Sequence, residues 1–403
     1  MQRNLRLYQL YSVLYSAMFW LPVFVIYIAG KVGLESLLLL EAVYYISVVM
    51  FEVPSGYLSD RFGRKPVLAI SAMGFSLAAL LFMFGNGFLP FLLAQVLTAV
   101  GFSFNSGSDI SLHFDSLRDL GEEERFGSLE AAAERNRFLF GGLAAVLGGL
   151  AGVLDLRLVY LLTAVANGAN ILVVLQLREP QLSHQRESFG NAIRYCLGRL
   201  RRPALAWLAG FYLLMTVLNH IPYEFYQPYL RLLALDGLYP QRYTALASGV
   251  LMGSSMLIGA WFAANSIRLR DRIGIGYALL LACAMQTVVI AVMGHWLHSM
   301  VIVVILLRSI PRGIMMPAFN AAVAPLVDRQ HRATYMSVMS LGGRLAFSLT
   351  LVGLSFIAGE SQDWGSLSRL LMTGAGIGVL GLGTLVLTRR RVQPGAGQLP
   401  LLS

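Results

Sequence analysis

Long apolar runs, separated by short polar stretches, follow one another along the whole chain. Each run approaches the roughly 20 residues that a helix needs to cross a bilayer. The runs cover residues 7–30, 34–58, 66–85, 88–114, 130–153, 157–177, 204–230, 243–265, 273–294, 297–325, 334–358 and 366–388. Within a run the apolar residues are continuous, whereas the strands of an outer-membrane barrel alternate. The pattern predicts an all-α polytopic membrane protein with twelve transmembrane helices.

The longest polar stretch lies between the sixth and seventh runs and carries six arginines. We therefore expect an N-terminal six-helix bundle at 1–177, a cytoplasmic linker at 178–203, a C-terminal six-helix bundle at 204–388 and a cytoplasmic tail at 389–403. Asp-Arg-x-Gly follows the second run of each half, at 60–63 and at 271–274. Parallel repeats of this kind are typical of transporters and predict two pseudo-symmetric bundles.

Composition and charge narrow the class of protein. With 57% hydrophobic and 13% charged residues and a mean hydropathy of +0.66, the chain differs from disordered proteins and from soluble enzymes. Its net charge of +10 comes from short basic clusters, with 23 basic residues in the connections and adjoining helix ends on one side and five on the other. By the positive-inside rule, we expect both termini in the cytoplasm of a bacterial-type inner membrane, and no nucleic-acid partner.

The connection after the second run reads GYLSDRFGRK and is similar to the signature of the major facilitator superfamily. That signature is a glycine, then Asp-Arg four residues on, then glycine and two basic residues. Here the matching positions are Gly56, Asp60, Arg61, Gly63, Arg64 and Lys65. Together with the twelve runs and the central basic linker, the resemblance covers nearly the whole chain. It implies a secondary transporter that works by alternating access.

Physical chemistry suggests a conformational latch for this motif. Asp60 can accept hydrogen bonds from a helix N-terminus or pair with an arginine, which would close a cytoplasmic seam. The glycines permit a tight turn and close backbone approach, and the basic residues suit anionic lipid headgroups. Asp271 and Arg272 form a second, weaker copy, since Ile267 replaces its leading glycine. The alternative is a connection that only satisfies the positive-inside rule.

Charged residues inside the predicted helices are the candidate substrate contacts. Each costs about 3 kcal/mol on insertion scales unless it pairs or faces water. Arg308 and Arg312 are spaced i, i+4 and should share one helix face, where two guanidiniums suit a carboxylate or phosphate. Arg344, a charge inside the eleventh predicted helix, is a further candidate. Helices 1, 4, 7 and 10 line the cavity of the resembled fold, which adds Asn105, Tyr15, Phe19, Asn219 and Tyr223. The alternative for the charges is ion pairing within the protein.

Asp109 is the first candidate for proton coupling and Glu41 is the second. Asp109 lies in a polar stripe with Asn105 and His113, and a carboxyl group whose neighbours change can bind and release a proton. We expect Arg312, on the symmetry-related helix, to be its partner in one state. The alternative is a structural hydrogen-bonding cluster.

No enzyme motif accompanies these residues. The sequence lacks HExxH, GxSG, GxGD, DDxxD and GxxxxGK patterns, so we expect no catalysis, no cofactor, no metal and no ATP binding. The resulting hypothesis is a monomer that couples protons to the efflux of a small amphipathic or anionic compound. Alternatives are proton-coupled import of an anionic nutrient or metabolite, and a membrane receptor that does not transport.

Overall fold

A computed structural model describes residues 1–180, 194, 198–323, 326–327, 332–358 and 363–389. Over these ranges the chain forms fifteen α-helices and three short 3-10 turns, with no β-strand. The α-helices are α1 (Gln2–Ser16), α2 (Phe24–Val32), α3 (Leu34–Phe62), α4 (Arg64–Phe84), α5 (Phe88–Asn105), α6 (Ser108–Arg118), α7 (Phe126–Leu154), α8 (Leu156–Gln176), α9 (Pro203–Leu235), α10 (Thr244–Ile273), α11 (Ile275–His295), α12 (Val301–Leu306), α13 (Ile310–Val323), α14 (Arg332–Ala358) and α15 (Trp364–Arg389). The 3-10 turns are Glu123–Arg125, Gln241–Tyr243 and Leu307–Ser309.

The helices account for twelve crossings once interrupted helices are counted as one. Nine stretches of the described chain are individually long and apolar enough to cross a membrane. The first and tenth predicted helices are each built from two shorter helices, α1 with α2 and α12 with α13. The remaining crossing is α10. The observed helix order therefore agrees with twelve crossings.

Three of the predicted transmembrane helices are interrupted. The first breaks between Ser16 and Phe24, the fourth at Ser106–Gly107, and the tenth at the turn Leu307–Ser309. Irregular backbone at membrane depth is tolerated only where protein buries it or where it lines a water-filled cavity. The apolar runs predicted continuous helices at these places, and the structure corrects that expectation.

The chain divides into two compact units. The first contains Met1–His184 and Pro240–Gly253, and the second contains Gln185–Tyr239 and Ser254–Ser403. In the first unit α4 packs on α5 and α8, while α1 packs on α7 and α8. In the second, α11 packs on α15 and α13, and α9 packs on α14 and α15. Most of the predicted linker and the whole tail beyond Arg389 lie outside the described residues, so the predicted domain limits stay a prediction.

Helix α7 and the start of α10 approach closely inside the first unit. A methyl group on Gly149 would lie 2.7 Å from the carbonyl oxygen of Ala245, and one on Gly249 would lie 2.4 Å from that of Ala145. Both distances are below any real carbon–oxygen contact, so only glycine fits at these two positions. The side chain of Ser248 also donates a hydrogen bond to the carbonyl oxygen of Pro22, in the interruption of the first helix.

Candidate functional site

A buried group of polar side chains lies where α1, α6 and α7 meet in the first unit. We call Tyr8, Asp109, His113, Glu130 and Arg137 the α1–α6–α7 polar cluster. Arg137 Nη2 donates to Asp109 Oδ2 at 3.0 Å and to the Tyr8 hydroxyl at 2.9 Å. Its Nη1 lies 3.7 Å from Glu130 Oε1. Asp109 is 3% exposed and His113 is 1% exposed, whereas the side chains of Arg137 and Glu130 are 17% and 20% exposed. The cluster thus holds one guanidinium between two carboxylates in a largely buried setting.

Glu130 is held by two further members of the cluster. The Tyr8 hydroxyl donates to its carboxylate at 3.1 Å, and His113 Nδ1 lies 2.7 Å from Oε2. The His113 ring stacks on the Tyr8 ring with 4.0 Å between centroids. Burial alone would raise the pKa of Glu130, but the hydrogen bond to His113 and the charge of Arg137 outweigh it and leave that pKa below its ordinary value. Glu130 therefore favours its ionised form. It lies before the apolar part of α7, which begins at Asn136.

Asp109 owes its position to the interruption of the fourth helix. Gly107 adopts a positive φ of 73°, which glycine reaches without strain, and α6 begins immediately afterwards. Asp109 thus lies in the first turn of α6, where its Oδ1 accepts a hydrogen bond from the backbone N–H of Ile110 at 2.8 Å. A carboxylate is stabilised at such a helix start by the exposed N–H groups and the helix dipole. Asn105, at the end of α5, accepts a hydrogen bond from the Tyr11 hydroxyl.

Asp109 has a partner that the sequence analysis did not name. The structure pairs it with Arg137 on α7, and the pairing with Arg312 in one state of the cycle stays a prediction. Sequence reasoning counted Arg137 only as a positive-inside residue and overlooked Glu130. Their spacing of seven residues, which brings two side chains to one face of a helix, is the signal that could have linked them.

Glu41, the second coupling candidate, lies elsewhere in the first unit. It is 4% exposed on α3, and its Oε1 accepts a hydrogen bond from the side-chain amide of Gln95 on α5. The Gln95 amide is neutral, so it gives Glu41 a hydrogen bond without a compensating positive charge. Because Glu41 lies on α3 and its partner on α5, it is not part of the α1–α6–α7 polar cluster.

The predicted latch forms a tight turn between α3 and α4. Gly63 has a φ of 101°, and the carboxylate of Glu179 accepts hydrogen bonds from the backbone N–H groups of Arg64 at 2.5 Å and Lys65 at 2.9 Å. A methyl group on Gly63 would lie 2.6 Å from that carboxyl carbon. Arg178, beside Glu179, exchanges two hydrogen bonds with Asn4 through its backbone. Glu179 was placed in the linker by sequence, and its role at this turn was missed.

The other latch residues have different surroundings. Arg64 Nε lies 3.7 Å from Asp115 Oδ2, and Arg64 Nη1 donates to the Ser59 hydroxyl at 3.0 Å. Arg61 is exposed and donates to the Tyr57 hydroxyl at 2.9 Å. A methyl group on Gly56 would meet nothing within 4 Å in the described structure, so close backbone approach is not what places a glycine there. The side chains of Asp60 and Asp271 lie outside the described residues, and Arg272 is exposed near the end of α10.

Two basic regions lie in the second unit. Arg308, in the 3-10 turn Leu307–Ser309, is 8% exposed, and its guanidinium carbon lies 4.2 Å from the centre of the Tyr226 ring. Among the described residues its Nη1 has no hydrogen-bond partner. Arg312 is exposed on α13. The two arginines were expected to share one face, but the 3-10 turn changes the rotation between them, and one is buried while the other is exposed.

Arg312 belongs with polar groups of α9 and α14. It and Arg344 both lie within electrostatic range of Tyr212 and His220. His220 Nδ1 is 2.7 Å from the carbonyl oxygen of Thr216. The structure thus places two of the predicted substrate-binding arginines, Arg312 and Arg344, within electrostatic range of the His220 imidazole.

The remaining predicted substrate contacts are distributed over both units. In the first unit Tyr15 stacks on Tyr11 at 6.1 Å between ring centres, and Phe19 lies in the interruption between α1 and α2. In the second unit the Asn219 amide contacts Met315 Sδ at 3.8 Å, and Tyr223 lies within electrostatic range of Arg308.

Comparison with known proteins establishes the class. The sequence profile of the Major Facilitator Superfamily matches residues 10–351. The chain belongs to this superfamily. Its resemblance through the Gly56–Lys65 motif is thereby confirmed, as is the all-helical fold with twelve transmembrane helices in two six-helix bundles. It is an integral membrane protein of the transporter kind.

A curated relative and several solved structures are similar to it. The tetracycline resistance protein, class B, of Escherichia coli is 31% identical over 137 residues, which is 34% of this chain and about a third (33%) of that protein's length. The nucleoside transporter NupG aligns with a TM-score of 0.82 at 14% identity, covering 97% of this chain and 100% of NupG. A peptide transporter, POT, in complex with sulfate gives 0.71 at 14% identity over 97% and 94% of the two chains. A D-xylose-proton symporter gives 0.70 at 12% identity over 96% of each.

Proposed function

We propose that the protein is a proton-coupled secondary transporter that exports a small amphipathic or anionic compound. The observation that carries the proposal is the ion pair between the buried Asp109 and the partly exposed Arg137, beside an interrupted helix. An isolated buried charge is unfavourable, so the protonation of Asp109 must depend on where Arg137 lies. A carboxyl group that responds to its surroundings in this way is what a proton-driven cycle needs. Glu41 is the second candidate for this role.

An anionic group on the substrate is supported by the arginines of the second unit. Arg308 is buried beside an aromatic ring, and its Nη1 is not hydrogen-bonded by any described residue. Arg312 is exposed and lies within electrostatic range of His220. Guanidinium groups bind carboxylates and phosphates through paired hydrogen bonds. We propose Arg312 and Arg308 as the principal substrate contacts. Further proposed contacts are Arg344, Asn105, Asn219, Tyr15, Phe19 and Tyr223.

Export is favoured over import by the curated relative. The similarity to this chain covers a third of a protein that is named for tetracycline resistance. A transporter can lower a cell's exposure to a drug by moving the drug outwards. Proton-coupled import of an anionic nutrient or metabolite is the second candidate, because the same arginines would bind such a compound. We place the protein in a bacterial inner membrane as a monomer with both termini in the cytoplasm, following the distribution of basic residues. Anionic lipid headgroups would then meet Arg61 and Lys65, whereas Arg64 is buried beside Asp115.

Transport into liposomes tests the proposal. Purified protein is reconstituted in a known orientation, and the accumulation of tetracycline and of carboxyfluorescein is followed under an imposed pH gradient. Accumulation in inside-out liposomes that a protonophore abolishes is the expected result, and Asp109→Asn should lose it while retaining downhill exchange. Accumulation only in right-side-out liposomes would favour import. Accumulation of the probes by the Asp109→Asn protein at the normal rate would exclude Asp109 as the coupling group.

A further inference from the structure

Arg137 is shared unequally between two carboxylates of the α1–α6–α7 polar cluster. It is hydrogen-bonded to Asp109 at 3.0 Å, while Glu130 lies at ion-pair distance, 3.7 Å from Nη1. We propose that Glu130 is the alternative partner of Arg137, a positioning residue that takes over the guanidinium when Asp109 binds a proton. This inference rests on the proton coupling proposed above. It adds Glu130 as the carboxylate that lets Asp109 bind and release its proton reversibly.

The reason for an alternative partner is electrostatic. A guanidinium stays positively charged at every physiological pH, whereas a protonated Asp109 has no charge to balance it. The Arg137 side chain is 17% exposed, and a cation in such a largely buried place becomes unfavourable when it loses its partner. Glu130 removes this penalty because it already lies beside the guanidinium. A movement of about 1 Å would turn their ion-pair contact into a charge-assisted hydrogen bond.

The rest of the cluster keeps Glu130 ready for this contact. His113 and the Tyr8 hydroxyl hold its carboxylate, and its lowered pKa keeps it ionised under conditions that protonate other carboxyl groups. In the described part of the chain, the titratable groups around Arg137 include Tyr8 and Tyr11 from α1, Asp109 from α6 and Glu130 from α7, with His113 of α6 behind Glu130. Among them Glu130 is the remaining carboxylate once Asp109 is neutral.

The step balances in atoms and charge. A proton from water binds Asp109 Oδ2, and the hydrogen bond from Arg137 Nη2 to that oxygen breaks. A hydrogen bond from Arg137 Nη1 to Glu130 Oε1 forms in its place. The only net change is one added proton, and its release reverses both changes. The guanidinium is paired with a carboxylate before and after the step.

Infrared spectroscopy of the purified full-length protein tests this inference without any substrate. The C=O band of a protonated carboxyl group is followed as pH falls, and the part lost in Asp109→Asn is assigned to Asp109. In Glu130→Gln the midpoint of that band should move about one pH unit lower, a roughly tenfold weaker proton affinity, because the proton must displace Arg137 without an alternative partner. Glu130→Asp should give a smaller shift in the same direction. Glu122→Gln is the matched control, since Glu122 pairs with Arg125 instead.

The outcomes separate this inference from the proposed function. A Glu130→Gln protein that is folded and shows the wild-type midpoint would overturn the role of Glu130 alone. Absence of any Asp109 band between about pH 4 and pH 9 in the wild type would overturn proton coupling at Asp109 itself. If Glu130→Gln fails to fold, the Glu130→Asp protein provides the test. An unchanged midpoint of its Asp109 band overturns the inference, and a shift of that midpoint to lower pH supports it.

Discussion

Glu179 shows how one exposed carboxylate can define a turn between two helices. Its two oxygens accept the first backbone N–H groups of α4, which has no capping side chain of its own because the N-cap residue is Gly63. Loss of such a cap costs about 0.5–1 kcal/mol at an exposed position. Glu179→Ala should therefore lower the thermal unfolding temperature of the purified protein slightly. Glu124→Ala, at another exposed glutamate, should leave it unchanged, and equal unfolding temperatures for all three proteins would contradict the capping role.

The lowered pKa of Glu130 predicts a pH dependence of stability. A carboxyl group whose pKa is lower in the folded protein stabilises it above the pKa of the unfolded chain. That contribution disappears as pH falls through the folded-state pKa. Wild type should exceed Glu130→Gln in unfolding temperature near neutral pH, and the two should converge in acid. A difference that stayed constant down to acid pH would show that packing, and not charge, is responsible.

At the level of the helices, Gly107 separates α5 from α6 and so places Asp109. With a φ of 73°, alanine at this position would be strained by roughly 1 kcal/mol or more. Gly107→Ala should therefore lower the unfolding temperature. Gly210→Ala is the matched control, since Gly210 is helical in α9 with nothing within 4 Å of an added methyl group, and there alanine should stabilise. Equal effects at both positions would contradict the strain argument.

Helix spacing between α7 and α10 gives a second prediction at this scale. Gly249→Ala would place a methyl group 2.4 Å from a backbone oxygen of α7, so the helices must separate. Overpacking of this kind costs about 1–3 kcal/mol. Gly253→Ala, one turn further along α10, would make only an ordinary contact at 3.6 Å. Thermal unfolding should distinguish the two variants, and similar unfolding temperatures would mean that α10 shifts without cost.

Helix interruptions mark the limit of pattern reading. Leu21, Pro22 and Val23 are as apolar as the helices on either side, so hydropathy could not reveal the break between α1 and α2. The contact of Glu179 with the start of α4 joins positions more than a hundred residues apart. Such a contact has no local signature. The pairing of Asp109 with Arg137 was equally invisible, because burial and helix rotation decide it.

For the whole molecule, the distribution of basic residues predicts an orientation that labelling can check. In a chain without its native Cys196 and Cys283, a cysteine at Ser299 should react with a membrane-impermeant maleimide applied to intact cells. A cysteine at Ser403 should react only after the cells are opened. Labelling of Ser403→Cys in intact cells would show that the protein has the opposite orientation. The positive-inside rule would then not hold for this chain. The number of crossings followed from run lengths alone, since membrane thickness fixes helix length.

The division of the chain also bears on its synthesis. The first unit includes Pro240–Gly253, a segment made after α9, and the glycines of α7 pack against it. Chains emerge from the ribosome at about 5–20 residues per second. Helix α7 therefore cannot pack against Pro240–Gly253 until the whole of α9 has been made. During that interval the surface of α7 around Gly149 lacks the helix that covers it in the finished protein. Completion of the N-terminal half in the cell thus depends on a piece of sequence from the C-terminal half.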